Sequence, residues 1–208
     1  TISEKYLVLI IINFFSFLYI FATQISNKKM KKIILLILFF VNNISFSQSF
    51  RANLKATGLT CAMCSYSTQR SLEKLDFIST ITPDLEATSF LLEFRDDKFV
   101  DFDLIQEKVE DAGFFVGEIE IIFSDEFIAE NDLHSVFNSN LFHFFTENKS
   151  QTNTFKLVDK SFVPKDEFSL LSDKTTHSCY MTGKNMADCC KKHDNLKSNR
   201  IFHLKSDI

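Results

Sequence analysis

Gly58-Leu59-Thr60-Cys61-Ala62-Met63-Cys64 places two cysteines, separated by two residues, between a stretch that alternates and a stretch with helical spacing. Before it, Arg51 to Thr57 sets Ala52, Leu54 and Ala56 on one face, the period of a strand. After it, Cys64, Thr68, Leu72 and Leu75 recur every three to four residues, as on one side of a helix. The cysteines therefore fall where a strand turns into a helix. A thiol at a helix N-terminus meets the positive end of the helix dipole, which favours the thiolate. Two thiolates held there make a soft site suited to Cu(I) or Zn(II). The same spacing also serves redox pairs and half-sites for zinc, so the flanking pattern has to decide.

Working outward, Phe77 to Pro83 reads as a second strand and Asp84-Leu85-Glu86 as a turn. Ser89 to Phe94 is a third strand, with Phe90, Leu92 and Phe94 on one face. Arg95 to Lys98 is a charged loop. Asp103, with Gln106 three residues on, fits a capping box. Leu104, Ile105, Val109 and Ala112 then form a helical face that Gly113 stops. Gly117 to Phe123 alternates again. The order β-α-β-β-α-β predicts an α+β, ferredoxin-like sandwich, an antiparallel sheet with two helices on one face.

The cysteine loop after the first strand, together with Asp111-Ala112-Gly113-Phe114 closing the second helix, resembles the heavy-metal-associated domain. That family includes copper chaperones, N-terminal modules of metal-pumping P-type ATPases and the periplasmic mercury-binding protein. Its motif is usually G-M-T-C-x-x-C, and Leu59 here replaces a Met that packs beneath the loop rather than binding metal. Phe77-Ile78 stands where Gly-Val is common after the first helix. The resemblance covers residues 49–123. It implies a non-enzymatic protein in which Cys61 and Cys64 ligate a soft ion, Cu(I) by preference, with Hg(II) or Zn(II) as other cargoes. Related domains that take zinc or cadmium tend to carry an acidic residue before the first cysteine; Thr60 points to copper. Phe114 takes the place of an aromatic or lysine that lies close to the metal loop. Met63 is expected to be an exposed loop residue, although its thioether is a further donor. The implied partner is a metal-transporting P-type ATPase or another metal donor or acceptor.

Two rival readings use the same residues. A thiol-disulfide protein would cycle Cys61 and Cys64 between redox states; a membrane-anchored interaction protein would not need them. Against the first, Ala62-Met63 separates the cysteines instead of the Gly-Pro usual in thioredoxin-type motifs, and the chain has no Trp.

The ends carry other signals. Met30-Lys31-Lys32, the apolar run Ile33 to Val41 and Ser45-Phe46-Ser47 have the order of a secretory signal peptide over residues 30–47, with cleavage after Ser47. Export, in the first instance to the periplasm, is the expectation. Residues 1–29 include the apolar run Tyr6 to Ala22 and read as an over-extended start, the alternative being an N-terminal membrane anchor. Residues 1–47 hold five lysines and one glutamate, so the remainder carries 18 basic and 26 acidic side chains, a net charge of −8. Such a charge repels phosphate backbones and argues against nucleic acid as a partner.

Beyond residue 123 the pattern weakens. Residues 124–154 read as a helical or polar connector, because Leu133, Val136, Phe137, Leu141, Phe144 and Phe145 fit an amphipathic helix. Residues 155–208 read as a small C-terminal α/β extension with short strands at Phe155 to Val158 and Arg200 to Leu204. Within it, His177, Cys179, Cys189, Cys190 and His193 offer three thiols and two imidazoles, either as a second metal site or with Cys179 in a disulfide to Cys189 or Cys190. His134, His143 and His203 stand apart in sequence and carry no expected role. No nucleophile-base constellation or phosphate loop emerges.

Overall fold

Strand β1 (Phe50–Thr57) buries Phe50, Ala52, Leu54 and Ala56 and turns Arg51, Lys55 and Thr57 to solvent, as its alternation dictates. In the computed structural model, which describes residues 50–146, 150–185 and 196–206, it is followed by α1 (Ala62–Leu72), β2 (Ile78–Asp84), β3 (Ser89–Phe94), α2 (Phe102–Asp111) and β4 (Phe115–Ala129). β1 pairs antiparallel with β3 on one side and β4 on the other, and β2 pairs antiparallel with β3. This strand order, β2-β3-β1-β4, is that of the ferredoxin-like unit. The proposed signal segment, residues 30–47, and residues 1–29 lie outside the described residues.

α2 begins two residues earlier than the capping-box reading placed it. Asp101, not Asp103, is the N-cap, and its side chain accepts from the backbone N–H of Asp103 and Leu104. The earlier start lets Phe102 enter the core, where it is fully buried.

The larger departure lies beyond residue 123. The stretch read as a helical connector forms strands: β4 continues to Ala129, followed by β5 (Leu133–Phe137), β6 (Asn140–Phe145) and β7 (Ser150–Leu157). Then come α3 (Lys165–Ser172), α4 (Cys179–Thr182) and β8 (Ile201–Lys205). The C-terminal extension is therefore not a separate module. All eight strands join one mixed sheet in the order β2-β3-β1-β4-β7-β8-β6-β5, with β6 and β8 parallel. β5 and β6 are tied by a two-residue hairpin whose central residues, Asn138 and Ser139, both have positive φ, the geometry of a type I′ turn.

A register irregularity in β4 between Ile122 and Phe127 loops extra residues out against β7, which bends the sheet. The bend brings β6 back over the start of β1: the Phe142 and Phe50 rings lie 5.3 Å apart although three strands separate them in the sheet order. Phe123 sits at the centre, within 4.5–6.1 Å of Phe50, Phe127, Phe137, Phe142, Phe144 and Phe155. Tilted and edge-on aromatic pairs of this kind are favourable beyond the area they bury. On the opposite face of β6 and β8, Phe145 packs against Tyr180 and Phe168 of the two short helices, and Leu141 and Ile201 against Cys179.

Polar contacts lock the two halves. The buried Asn140 side chain donates to the Val100 carbonyl and accepts from the Val100 N–H. Arg200 pairs with Asp103 on α2 and with Asp159 after β7, at 2.7 and 3.0 Å. Asp159 also accepts from the His203 backbone N–H and the His203 imidazole. Burial alone would raise the Asp159 carboxyl, but the His203 imidazole and the Arg200 guanidinium outweigh it and hold the carboxyl below its ordinary range. A lowered folded-state pKa contributes stability that is present above about pH 4 and lost as pH falls further. Asp159→Asn should cost about 3 kcal/mol at pH 7. The difference between variant and wild type should shrink progressively as the pH falls below about 4; chemical denaturation at pH 7 and across that acid range checks this.

Candidate metal centre

Gly58 opens the cysteine loop with φ +88°, a conformation glycine adopts without strain. A Cβ there would stand 3.5 Å from the Phe114 ring, so the end of α2 does lie against the loop, where the family resemblance put it. Leu59 is buried beneath the loop as part of the core. Thr60 and Cys61 are exposed, Cys64 is half-buried, and Met63 is 71 % exposed.

Cys61 is the N-cap of α1. Its backbone is extended, and its sulfur accepts from the Cys64 N–H at 3.3 Å. Cys64 lies in the first turn and packs against the core. The helix buries Ser65, Thr68, Ser71 and Leu72, mostly small side chains, and Thr68 Oγ1 donates back to the Cys64 carbonyl. One cysteine is thus fixed by the helix and the other sits on the loop just outside it.

The two sulfurs are 2.6 Å apart. The Cys61 thiol beside it holds the Cys64 thiol below the ordinary thiol range; partial burial opposes this, and the Thr60 and Cys61 backbone reinforces it. With a metal–sulfur bond of about 2.3 Å, an ion held linearly needs the sulfurs roughly 4.6 Å apart. Loading therefore requires the pair to open by about 2 Å, and Cys61, exposed and outside the helix, is the side chain able to swing. Among the described residues no third histidine, cysteine or carboxylate joins the pair.

The sequence profile of the heavy-metal-associated domain family matches residues 54–115. These residues are a heavy-metal-associated domain. A probable copper-exporting P-type ATPase of Archaeoglobus fulgidus is 26 % identical over 87 residues, covering 42 % of this chain and 11 % of the ATPase. The chain thus matches about a tenth of that relative's length. Among solved structures, CopP of Helicobacter pylori is 29 % identical over 32 % of this chain and 97 % of its own, with a TM-score of 0.28. The CopZ metallochaperone is 23 % identical over 32 % and 97 %, with a TM-score of 0.30. Oxidised MerP of Ralstonia metallidurans is 21 % identical over 32 % and 92 %, also with a TM-score of 0.30.

The second predicted cluster changes membership. Cys189, Cys190 and His193 lie outside the described residues. His177 and Cys179 are placed, and they meet His134 and His143, which are not isolated as their sequence positions suggested. His134, His143 and His203 form a row across β5, β6 and β8, opposite one another in register. The His134 and His143 rings stack at 4.2 Å, and the His177 ring lies 5.4 and 5.2 Å from them. The Cys179 sulfur is 3.5 Å from His143 Nδ1 and 3.9 Å from His134 Nε2. Strand register and the docking of α4 together bring these residues into one place.

Because the Cys61 thiol is the leading cause of the Cys64 shift, Cys61→Ala should return the Cys64 pKa towards the ordinary thiol range. The pH dependence of thiolate ultraviolet absorbance, read with the other cysteines replaced by serine, measures it; an unchanged Cys64 titration would contradict this account.

Proposed function

We propose that the heavy-metal-associated domain carries a soft metal ion, Cu(I) by preference, on Cys61 and Cys64 and passes it to a partner by thiolate exchange. The observation that carries this reading is a pair of sulfurs at an exposed helix N-terminus, one within the helix and one on its cap, with no third histidine, cysteine or carboxylate beside them among the described residues. Two thiolates satisfy near-linear Cu(I) or Hg(II) and leave Zn(II) short of its usual four ligands. Exchange proceeds one sulfur at a time. An incoming partner thiol loses its proton and bonds the ion, and one cysteine here releases the ion and takes up a proton. The number of metal–sulfur bonds is kept, so the barrier stays low and the domain acts as a carrier rather than a catalyst. A metal-transporting ATPase or another dithiol protein fits as partner by that chemistry.

The basic, apolar and small-residue order of residues 30–47 supports export as the setting for this activity. The expected product begins at Gln48, which intact-mass measurement of the envelope-localised protein would read; a product retaining residues 1–29 would point to membrane anchoring instead.

Anaerobic titration of the reduced protein with Cu(I), against a chelator of known affinity, should show one tight equivalent that Cys61→Ser/Cys64→Ser loses. If the wild type holds no tight Cu(I), the carrier reading falls and thiol-disulfide exchange at the same pair takes its place.

A further inference from the structure

The cluster at the end of β5 and β6 has the donor set and spacing of a metal site in its own right. His134 and His143 face each other across the antiparallel ladder, and Cys179, fully buried at the start of α4, brings its sulfur between them and the helix. One donor atom from each of the three lies within 4.8 Å of the other two. A tetrahedral ion with bonds of about 2.05 Å to nitrogen and 2.3 Å to sulfur sets nitrogen and sulfur ~3.6 Å apart. The observed 3.5 and 3.9 Å sulfur–nitrogen separations are close to that value, and binding an ion would also turn the stacked His134 and His143 rings so that their lone pairs converge.

The surroundings prepare the same atoms. Asp132 Oδ1 lies 3.0 Å from His143 Nε2; a carboxylate only accepts, so Nε2 carries the proton and the Nδ1 lone pair faces the Cys179 sulfur. Asp132 is itself held, its N–H donating to the Phe144 carbonyl and its Oδ1 accepting from Thr175 Oγ1. A carboxylate behind a ligating imidazole is the usual support that fixes its tautomer and orientation. Burial disfavours the charged form of both imidazoles. His177 stands beside the cluster, its Nε2 3.9 Å from Asp132 Oδ1. Leu141 and Ile201 pack around Cys179 and keep the sulfur dry.

We propose that His134, His143 and Cys179 form a second metal site that takes Zn(II) or a divalent ion of the same coordination class, with its fourth position open beside His177. It differs from the Cys61–Cys64 pair in chemistry, two imidazoles and one thiolate against two thiolates, and so in preference. It is also distant. Phe142, next to His143, packs on Phe50 at the start of β1, whereas Cys61 follows the strand's far end, and eight strand residues span roughly 23 Å.

The test uses the full chain carrying Cys61→Ser/Cys64→Ser, reduced and anaerobic, so that its outcome does not depend on the carrier reading. Titration with Co(II) should give one equivalent with a thiolate-to-metal charge-transfer band, and Zn(II) should displace it and raise Tm. His134→Gln and Cys179→Ala should each weaken Zn(II) binding more than ~100-fold, and Asp132→Asn, which tolerates the positive φ there, by ~10- to 100-fold. Circular dichroism establishes that each variant is folded; should Cys179→Ala not fold, His134→Gln at its half-buried position decides. A folded parent that binds no Co(II) or Zn(II), or an equivalent whose affinity survives His134→Gln, would overturn the proposal.

Discussion

The backbone of β4 hydrogen-bonds β1 along one edge and β7 along the other, and everything C-terminal to residue 129 is hung from that second edge. A ferredoxin-like unit that ended at Phe123 would leave β4 as an open edge, a template for association with other chains. Here β7 covers the edge, and the irregularity between Ile122 and Phe127 turns the added strands back towards the core. The many Phe of the described strands fit this geometry. A curled sheet has an inner face that must be filled from several strands at once, and flat rings at tilted angles around Phe123 fill it.

That arrangement leaves the cysteine loop untouched. The C-terminal strands reach the core at Phe50 and Val100, through Phe142 and Asn140, while Cys61 projects from the other end of β1. The asymmetry between the two cysteines comes from the helix boundary itself. Cys64 is inside α1 and inherits its rigidity; Cys61 is the cap, with extended backbone and an exposed side chain. A carrier needs both properties, one ligand to keep the ion in register and one to release it first.

Residues 50–123 were legible because each element announced itself locally. Alternation in Arg51–Thr57 and Ser89–Phe94, the Gly113 stop and the helical stripe from Cys64 all agree with the strands and helices found. Residues 133–145 were misread for a physical reason. β6 is buried on both faces, so Leu141, Phe142, His143, Phe144 and Phe145 show no alternation, and the run fits a helical period equally well. The signal that distinguishes the two lies in Asn138-Ser139-Asn140, a polar break whose first two residues take the positive φ of a tight hairpin. The histidine cluster offered no such local signal: His134, His143 and Cys179 become neighbours only after β5 has paired with β6 and α4 has docked on them.

Burying imidazoles in a sheet otherwise packed with Phe, Leu and Ile is costly unless their polar atoms find partners. His203 meets that demand on one nitrogen through Asp159, and that carboxylate is shared with Arg200, which reaches across to α2. His143 meets it through Asp132 on one side and the Cys179 sulfur on the other. The polar row is therefore part of what joins the C-terminal strands to the heavy-metal-associated domain, not an ornament on a finished core. An ion bound among His134, His143 and Cys179 would tie β5, β6 and α4 together. Such an ion would stabilise the added strands without competing for the soft ion proposed at Cys61 and Cys64, since the two donor sets favour different metals.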